Sequence, residues 1–177
     1  MTMRIQLSLL LLLLFTLACQ PAPEQENSTP SQQSEAEDGL LFKRSTIVVA
    51  DLDQSLQVYR DILGFEVFKI SESDEDSYSY TVFRIPDTAS IRFATLNSPS
   101  QIRTLALTEV KGMELPKPSV PLMSAMVIRV SDLAGKFEQI GDLGLDITAP
   151  KEATSSGGEF RFVEQAFVDY DGHLVVL

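Results

Sequence analysis

The chain has one cysteine, one histidine and no tryptophan among its 177 residues. A single Cys excludes an internal disulfide and a CxxC redox motif, and with a single His it excludes Cys₂His₂ zinc sites. Bases are scarce as well, 14 Lys and Arg against 25 Asp and Glu, for a net charge of −11. Such a chain repels phosphate backbones, and it has no Lys/Arg cluster to reverse that, so nucleic acid is excluded as a partner. What is present suits a packed domain. The composition is 44% hydrophobic and 22% charged, which argues against wholesale disorder. The length fits one domain, or two small modules that share a core.

Residues 1–18 read as an export signal. Arg4 supplies a positive start, Ile5 to Leu17 is almost wholly apolar with an unbroken Leu run at 9–14, and Ala18 is a small residue before Cys19. The apolar stretch is shorter than the roughly 20 residues of a spanning helix. Thr16-Leu17-Ala18-Cys19 resembles the lipobox of bacterial lipoproteins, which implies cleavage before Cys19 and its acylation. An ordinary secreted chain cut near the same point is the alternative. Residues 19–39 read as a disordered acidic tether. The stretch QPAPEQENSTPSQQSEAED has five acids and no Leu, Ile, Val, Phe, Lys or Arg, too little apolar surface to offset ordering entropy. From Gly39 onward there remain 20 acids and 13 bases, so the domain is itself acidic. The expected location is the bacterial cell envelope. Where two membranes are present, Gln20 after the Cys implies the periplasmic face of the outer one.

Past the tether the chain repeats a pattern. Ser45–Val49 is strand-like, Asp51-Leu52-Asp53 leads into a helix with Leu56, Tyr59, Ile62 and Leu63 on one face, and Gly64 stops it. About eighty residues later Met126–Val130, Ser131-Asp132-Leu133, a helix striped by Phe137, Ile140 and Leu143, and Gly144 follow the same order. Each Asp stands where it can cap the next helix. Strands are predicted at Phe65–Ile70, Ile91–Leu96, Ile102–Glu109, Leu145–Thr148, Phe160–Val168 and Leu174–Leu177. Tyr78–Ile85 is ambiguous between strand and short helix. Lys111–Pro121, with three prolines, is the linker.

TIVVADLDQSLQVYRDILGFEV and VIRVSDL…DYDGHLVVL resemble the vicinal oxygen chelate superfamily of glyoxalases, bleomycin-resistance proteins and dioxygenases. The resemblance implies an α+β fold, two βαβββ modules forming a curled mixed sheet around a shared cavity. The domain would be 40–177, with a first module at about 43–110, the linker at 111–121 and a second module at about 122–177. Members commonly hold a divalent metal through His, Gln and Glu. Carried over by local frame, the four ligand positions fall on Arg44, Ala106, Ala125 and Val176. None is a ligand for such a metal. His173 follows Asp171-Gly172 and reads as a turn residue. No metal and no cofactor are expected.

Strand alternation from these positions points Thr46, Thr104, Thr108 and Arg129 inward beside Arg44. The expected cavity is small and mostly apolar, with hydroxyls and two guanidiniums, and offers no His, Asp or Glu for acid–base work. The leading expectation is a non-catalytic module that binds a small organic molecule, anionic in part, and is tethered through Cys19. The alternatives are a glyoxalase- or dioxygenase-like enzyme with an atypical site and an envelope interaction module. Oligomeric state is not readable.

Overall fold

The computed structural model, which describes residues 42–177, is an α+β fold in which one topology occurs twice. The signal read at 1–18, Cys19 and the tether at 19–39 lie outside the described residues. The first half comprises β1 (Ser45–Val49), α1 (Leu52–Leu56) with a π-helical continuation (Gln57–Ile62), β2 (Glu66–Glu72), α2 (Tyr78–Phe83), β3 (Ser90–Ser98) and β4 (Gln101–Lys111). The second comprises β5 (Ala125–Val127), α3 (Leu133–Asp142), β6 (Asp146–Ile147), β7 (Lys151–Thr154), β8 (Arg161–Glu164), β9 (Ala166–Val168) and β10 (Leu174–Val176). The sheets are ordered β1-β4-β3-β2 and β5-β10-β9-β6. In both, the first strand lies parallel to the last. Between second and third sheet strands the halves differ: the first inserts α2, the second the β7–β8 hairpin.

Both long helices start as their sequences require. The Asp51 carboxylate accepts from Gln54 N at 2.9 Å, and Asp132 accepts from Gly135 N at 3.0 Å, each satisfying a donor that the first turn leaves open. Gly64 and Gly144 follow the helices with φ of 85° and 73°, the left-handed turn that glycine takes without strain. Tyr78–Ile85 resolves as helix. The Ser77 hydroxyl accepts from Ser79 N, and Arg84 ends α2 in a left-handed conformation before Pro86.

The single strand expected over Phe160–Val168 is two strands in different sheets. Glu164 pairs with Lys151 in the hairpin, whereas Ala166 pairs with Val176. The exchange happens at Gln165, whose backbone bonds Leu177 in both directions and whose side chain donates to Thr148 O at 2.8 Å. The polar pair Glu164-Gln165 interrupts the apolar positions there, but without Gly or Pro it does not by itself mark a change of partner. Lys111, expected in the linker, closes β4 and donates to Ala50 O at 2.7 Å.

One core joins the halves. Ile47, Val49, Ala94, Leu96, Leu105 and Leu107 bury one face of the first sheet against Leu52, Leu56, Tyr59 and Ile62. Phe137 and Ile140 of α3, with Phe167, Val175 and Leu177, belong to the same cluster. Phe137 meets Phe167 edge-on at 6.2 Å between ring centres. Each large side chain so buried contributes about 1.5–3 kcal/mol.

Polar bonds reinforce the join. The buried Tyr59 hydroxyl donates to Asp169 Oδ2 at 2.7 Å, and Ala50 N donates to Asp171 Oδ1 at 2.9 Å. Asp169 Oδ1 also accepts from His173 N at 2.7 Å. Burial, and then the Asp169 carboxylate, drive the Tyr59 phenol far above its usual value, which keeps it a donor. Burial likewise raises the Asp171 carboxyl; the Ala50 N–H opposes this and the nearby Asp169 charge adds to it. The turn at Asp169–His173 thus hooks the second half onto the end of β1.

Candidate functional site

The site is built on the face of the first sheet that turns away from α1. Pairing of Thr46 with Ala106, and of Ala106 with Thr95, lays a row across β1, β4 and β3, and Lys69 opposite Thr95 extends it to β2. Alternation sends the neighbours Ile47, Leu105 and Leu107 to the core, so the row is left for another partner. That partner is α2. Its Phe83, with Tyr80, packs on Ile91 and Val110 at one end of the face in a second, smaller core. Between α2 and the row a cleft of about 510 Å³ remains.

Thr46, Phe93, Thr95 and Ala106 line the sheet side of the cleft, and Tyr78, Ser79, Val82 and Phe83 the helix side. Phe68, Lys69 and Ser71 of β2 contribute a third wall, with Arg44 and Arg103 completing the lining. Among the described residues, three cations therefore face it, and no Asp, Glu, His or Cys does.

The residues expected to meet in one cavity are distributed. Arg44 and Thr46 line this cleft. Thr104 lines a second groove of about 240 Å³ with Phe42, Phe65, Ala125 and Val127. Thr108 does face the same way as Thr46, but Val48, Phe93 and the second core enclose it, and it is fully buried. Arg129 is exposed just beyond β5 and lines neither opening. Lys69, Arg103, Phe68 and the residues of α2 were not among those expected to line the cavity.

Arg103 and Phe68 reach the cleft through backbone irregularities. Arg103 has the parity of Leu105 and Leu107, and a regular strand would send it to the core face. Its φ of 51° is left-handed, its N–H donates to Asn97 Oδ1 at 2.7 Å, and the β3–β4 register shifts between Leu96 and Ser98. Phe68 occupies a register shift on β2 between Val67 and Lys69. The Arg103 guanidinium lies over the Phe68 ring at 5.5 Å, spanning β3 to do so. Alternation cannot foresee either side chain. The Asn97-Ser98-Pro99-Ser100 turn marks only the end of the hairpin.

A divalent metal does not fit. Arg44 and Ala106 line the cleft beside two further cations, Lys69 and Arg103, while Ala125 lines the other groove and Val176 pairs with Val127 on the second sheet. A guanidinium, two methyls and an isopropyl group present no lone pair to a cation. Among the described residues, no three or more His, Cys, Asp or Glu converge. His173 Nε2 lies 2.8 Å from Val48 O, so that nitrogen carries its proton toward a carbonyl and the ring is a turn fitting. Glu109, the carboxylate nearest the cleft on β4, faces the helix side. It accepts from Leu52 N at 2.8 Å and Arg92 Nε at 2.8 Å, and Lys111 Nζ stands 3.4 Å away. Burial pulls the Glu109 carboxyl up, but Arg92, the Leu52 N–H and Lys111 together hold it below its ordinary value.

Comparison with solved structures bears on the fold. A glyoxalase family protein from Bacillus cereus superposes with a TM-score of 0.60 at 15% identity, covering 80% of this chain and 95% of its own. A glyoxylase/bleomycin resistance protein/dioxygenase domain from Frankia sp. EAN1pec gives 0.54 at 22% identity, covering 78% and 94%. The trypanothione-dependent glyoxalase I of Leishmania major gives 0.53 at 20% identity, covering 78% and 86%. A comparison with curated protein sequences gives no match. The family profile described as Glyoxalase/Bleomycin resistance protein/Dioxygenase superfamily matches residues 42–177, every residue that contributes to the two sheets and the cleft. By that match, and by a topology that occurs twice with the first strand beside the last, the chain belongs to the glyoxalase/bleomycin resistance protein/dioxygenase superfamily.

Proposed function

We propose that this chain is a membrane-tethered, non-catalytic module that holds a small organic molecule in the cleft between α2 and the first sheet. One observation carries the reading: a cleft of about 510 Å³ lined by aromatic rings, hydroxyls and cations and, among the described residues, by no carboxylate, imidazole or thiol. Such a lining suits recognition better than proton transfer or metal-assisted chemistry. The family supports a small-molecule site, and the degenerate set Arg44, Ala106, Ala125 and Val176 supports the absence of metal chemistry.

The tether rests on Cys19 behind its apolar run. Acyl chains contribute about 0.8 kcal/mol per buried methylene, so several chains hold a protein on a bilayer. The location proposed is the bacterial envelope, on the periplasmic face of the outer membrane where there are two. Detergent phase separation tests this. The natural chain should enter the detergent phase and the Cys19→Ser chain the aqueous phase; equal partitioning would remove the anchor. Mass spectrometry of small molecules released from the purified chain tests the binding reading. A compound held near one per chain supports it, and turnover of a glyoxalase or dioxygenase substrate would replace it with the enzymatic alternative.

A further inference from the structure

We propose that the cleft selects an aromatic organic anion, held by Arg103 and Arg44 against the rings of Phe68 and Phe93. The inference rests on the binding reading and specifies its ligand. The domain from Gly39 onward carries 20 acids and 13 bases, yet among the described residues the cleft draws three bases and no acid into its lining. No carboxylate among the described residues forms an ion pair with Arg44, Lys69 or Arg103, so their charge is not neutralised by a neighbouring acid. Local positive charge in an acidic molecule is a filter for anions.

The backbone argues in the same direction. Arg103 adopts a left-handed conformation that a non-glycine residue takes only at a cost, and Phe68 sits at an irregularity of β2. Bulges re-aim side chains, and both of these deliver theirs to one place. A regular β4 would have put a guanidinium in the core or forced another residue there. Phe68, Tyr78 and Val82 are each more than half exposed although they line the cleft, so an apolar surface stands open beneath the cations. A flat ring would cover that surface while its acid group reached Arg103 and Arg44. Thr46 on the floor supplies a hydroxyl donor for the same group, whereas the Thr95 hydroxyl donates to Lys69 O.

The test uses the full-length chain carrying Cys19→Ser, which keeps the cleft intact and dispenses with detergent. Two probes share one ring system and differ in charge: naphthalene-2-sulfonate and 2-naphthalenemethanol. Calorimetry should show the sulfonate binding at least about tenfold more tightly than the alcohol and weakening with added salt. Arg44→Gln combined with Arg103→Gln should cost the sulfonate at least about tenfold and leave the alcohol within about twofold. Phe68→Ala should weaken both probes. Arg161→Gln, on the exposed hairpin, should change neither. Circular dichroism confirms that each variant is folded. Equal affinity for the two probes, or a sulfonate indifferent to the double substitution, overturns the anion inference and leaves the binding reading standing. No binding of either probe overturns the inference as well, and the binding reading then stands or falls on the released-compound analysis.

Discussion

Thr108 is, among the described residues, the buried side chain whose polar atom finds no partner. It faces the same side of β4 as Ala106, so strand parity places it correctly as to face. Its solvent access depends on α2 and Phe93, which no periodicity in the β4 sequence describes. Thr108→Val keeps the shape and removes an unsatisfied hydroxyl. The variant should be more stable by about 1 kcal/mol, read as a higher unfolding temperature and a higher denaturant midpoint. Arg44 and Thr46 were legible for the converse reason. Thr46 lies in a regular strand and Arg44 directly before it, where alternation holds and the family frame applies residue by residue. Arg103 was not, because a left-handed residue inside a strand leaves no mark on the pattern of apolar positions.

Elements with a local chemical start or stop were readable, as with α1 and α3, each bracketed by Asp and Gly. Elements defined by partners were not. β8 and β9 are contiguous in sequence, separated by Gln165 alone, yet pair in different sheets, and α2 owes its place to the face it covers. Glu109 shows how a side chain can decide an element's geometry from afar. It receives the Leu52 N–H at the start of α1 and pairs with Arg92 and Lys111, tying helix to sheet. Its carboxyl lies below its ordinary value in the folded state, so its contribution is complete above the unfolded value of about 4.3 and is lost as pH falls through the folded one. Glu109→Gln should cost about 2–3 kcal/mol at pH 7, a figure that allows for the solvent reaching Arg92 and Lys111. The variant should also lose less stability than the parent between about pH 5 and pH 3. Urea unfolding across that range checks both statements; parallel curves for the two chains would mean that Glu109 is not the group responsible.

At the scale of the molecule, two halves of like topology share one core and are fastened by the turn at Asp169–His173. Tyr59→Phe removes the fastening's buried hydrogen bond and leaves Asp169 Oδ2 without that donor. The expected cost is about 1.5–3 kcal/mol, the range for hydrogen bonds to charged groups. Because Tyr59 and Asp169 lie away from the cleft, naphthalene-2-sulfonate affinity should be unchanged at temperatures where the variant is folded. A loss of affinity larger than about threefold would show that the join and the cleft are coupled.

Among the described residues, every one that lines the cleft falls between Arg44 and Ala106, within the first of the two halves. The molecule is symmetrical in its wiring and lopsided in its use. The later copy holds up its twin through the common core and the hook on β1, much as a buttress holds a wall, and contributes nothing to what the wall encloses. Its outward residues Ala125 and Val127 line a groove of their own, so a substitution at either leaves every wall of the cleft as it was.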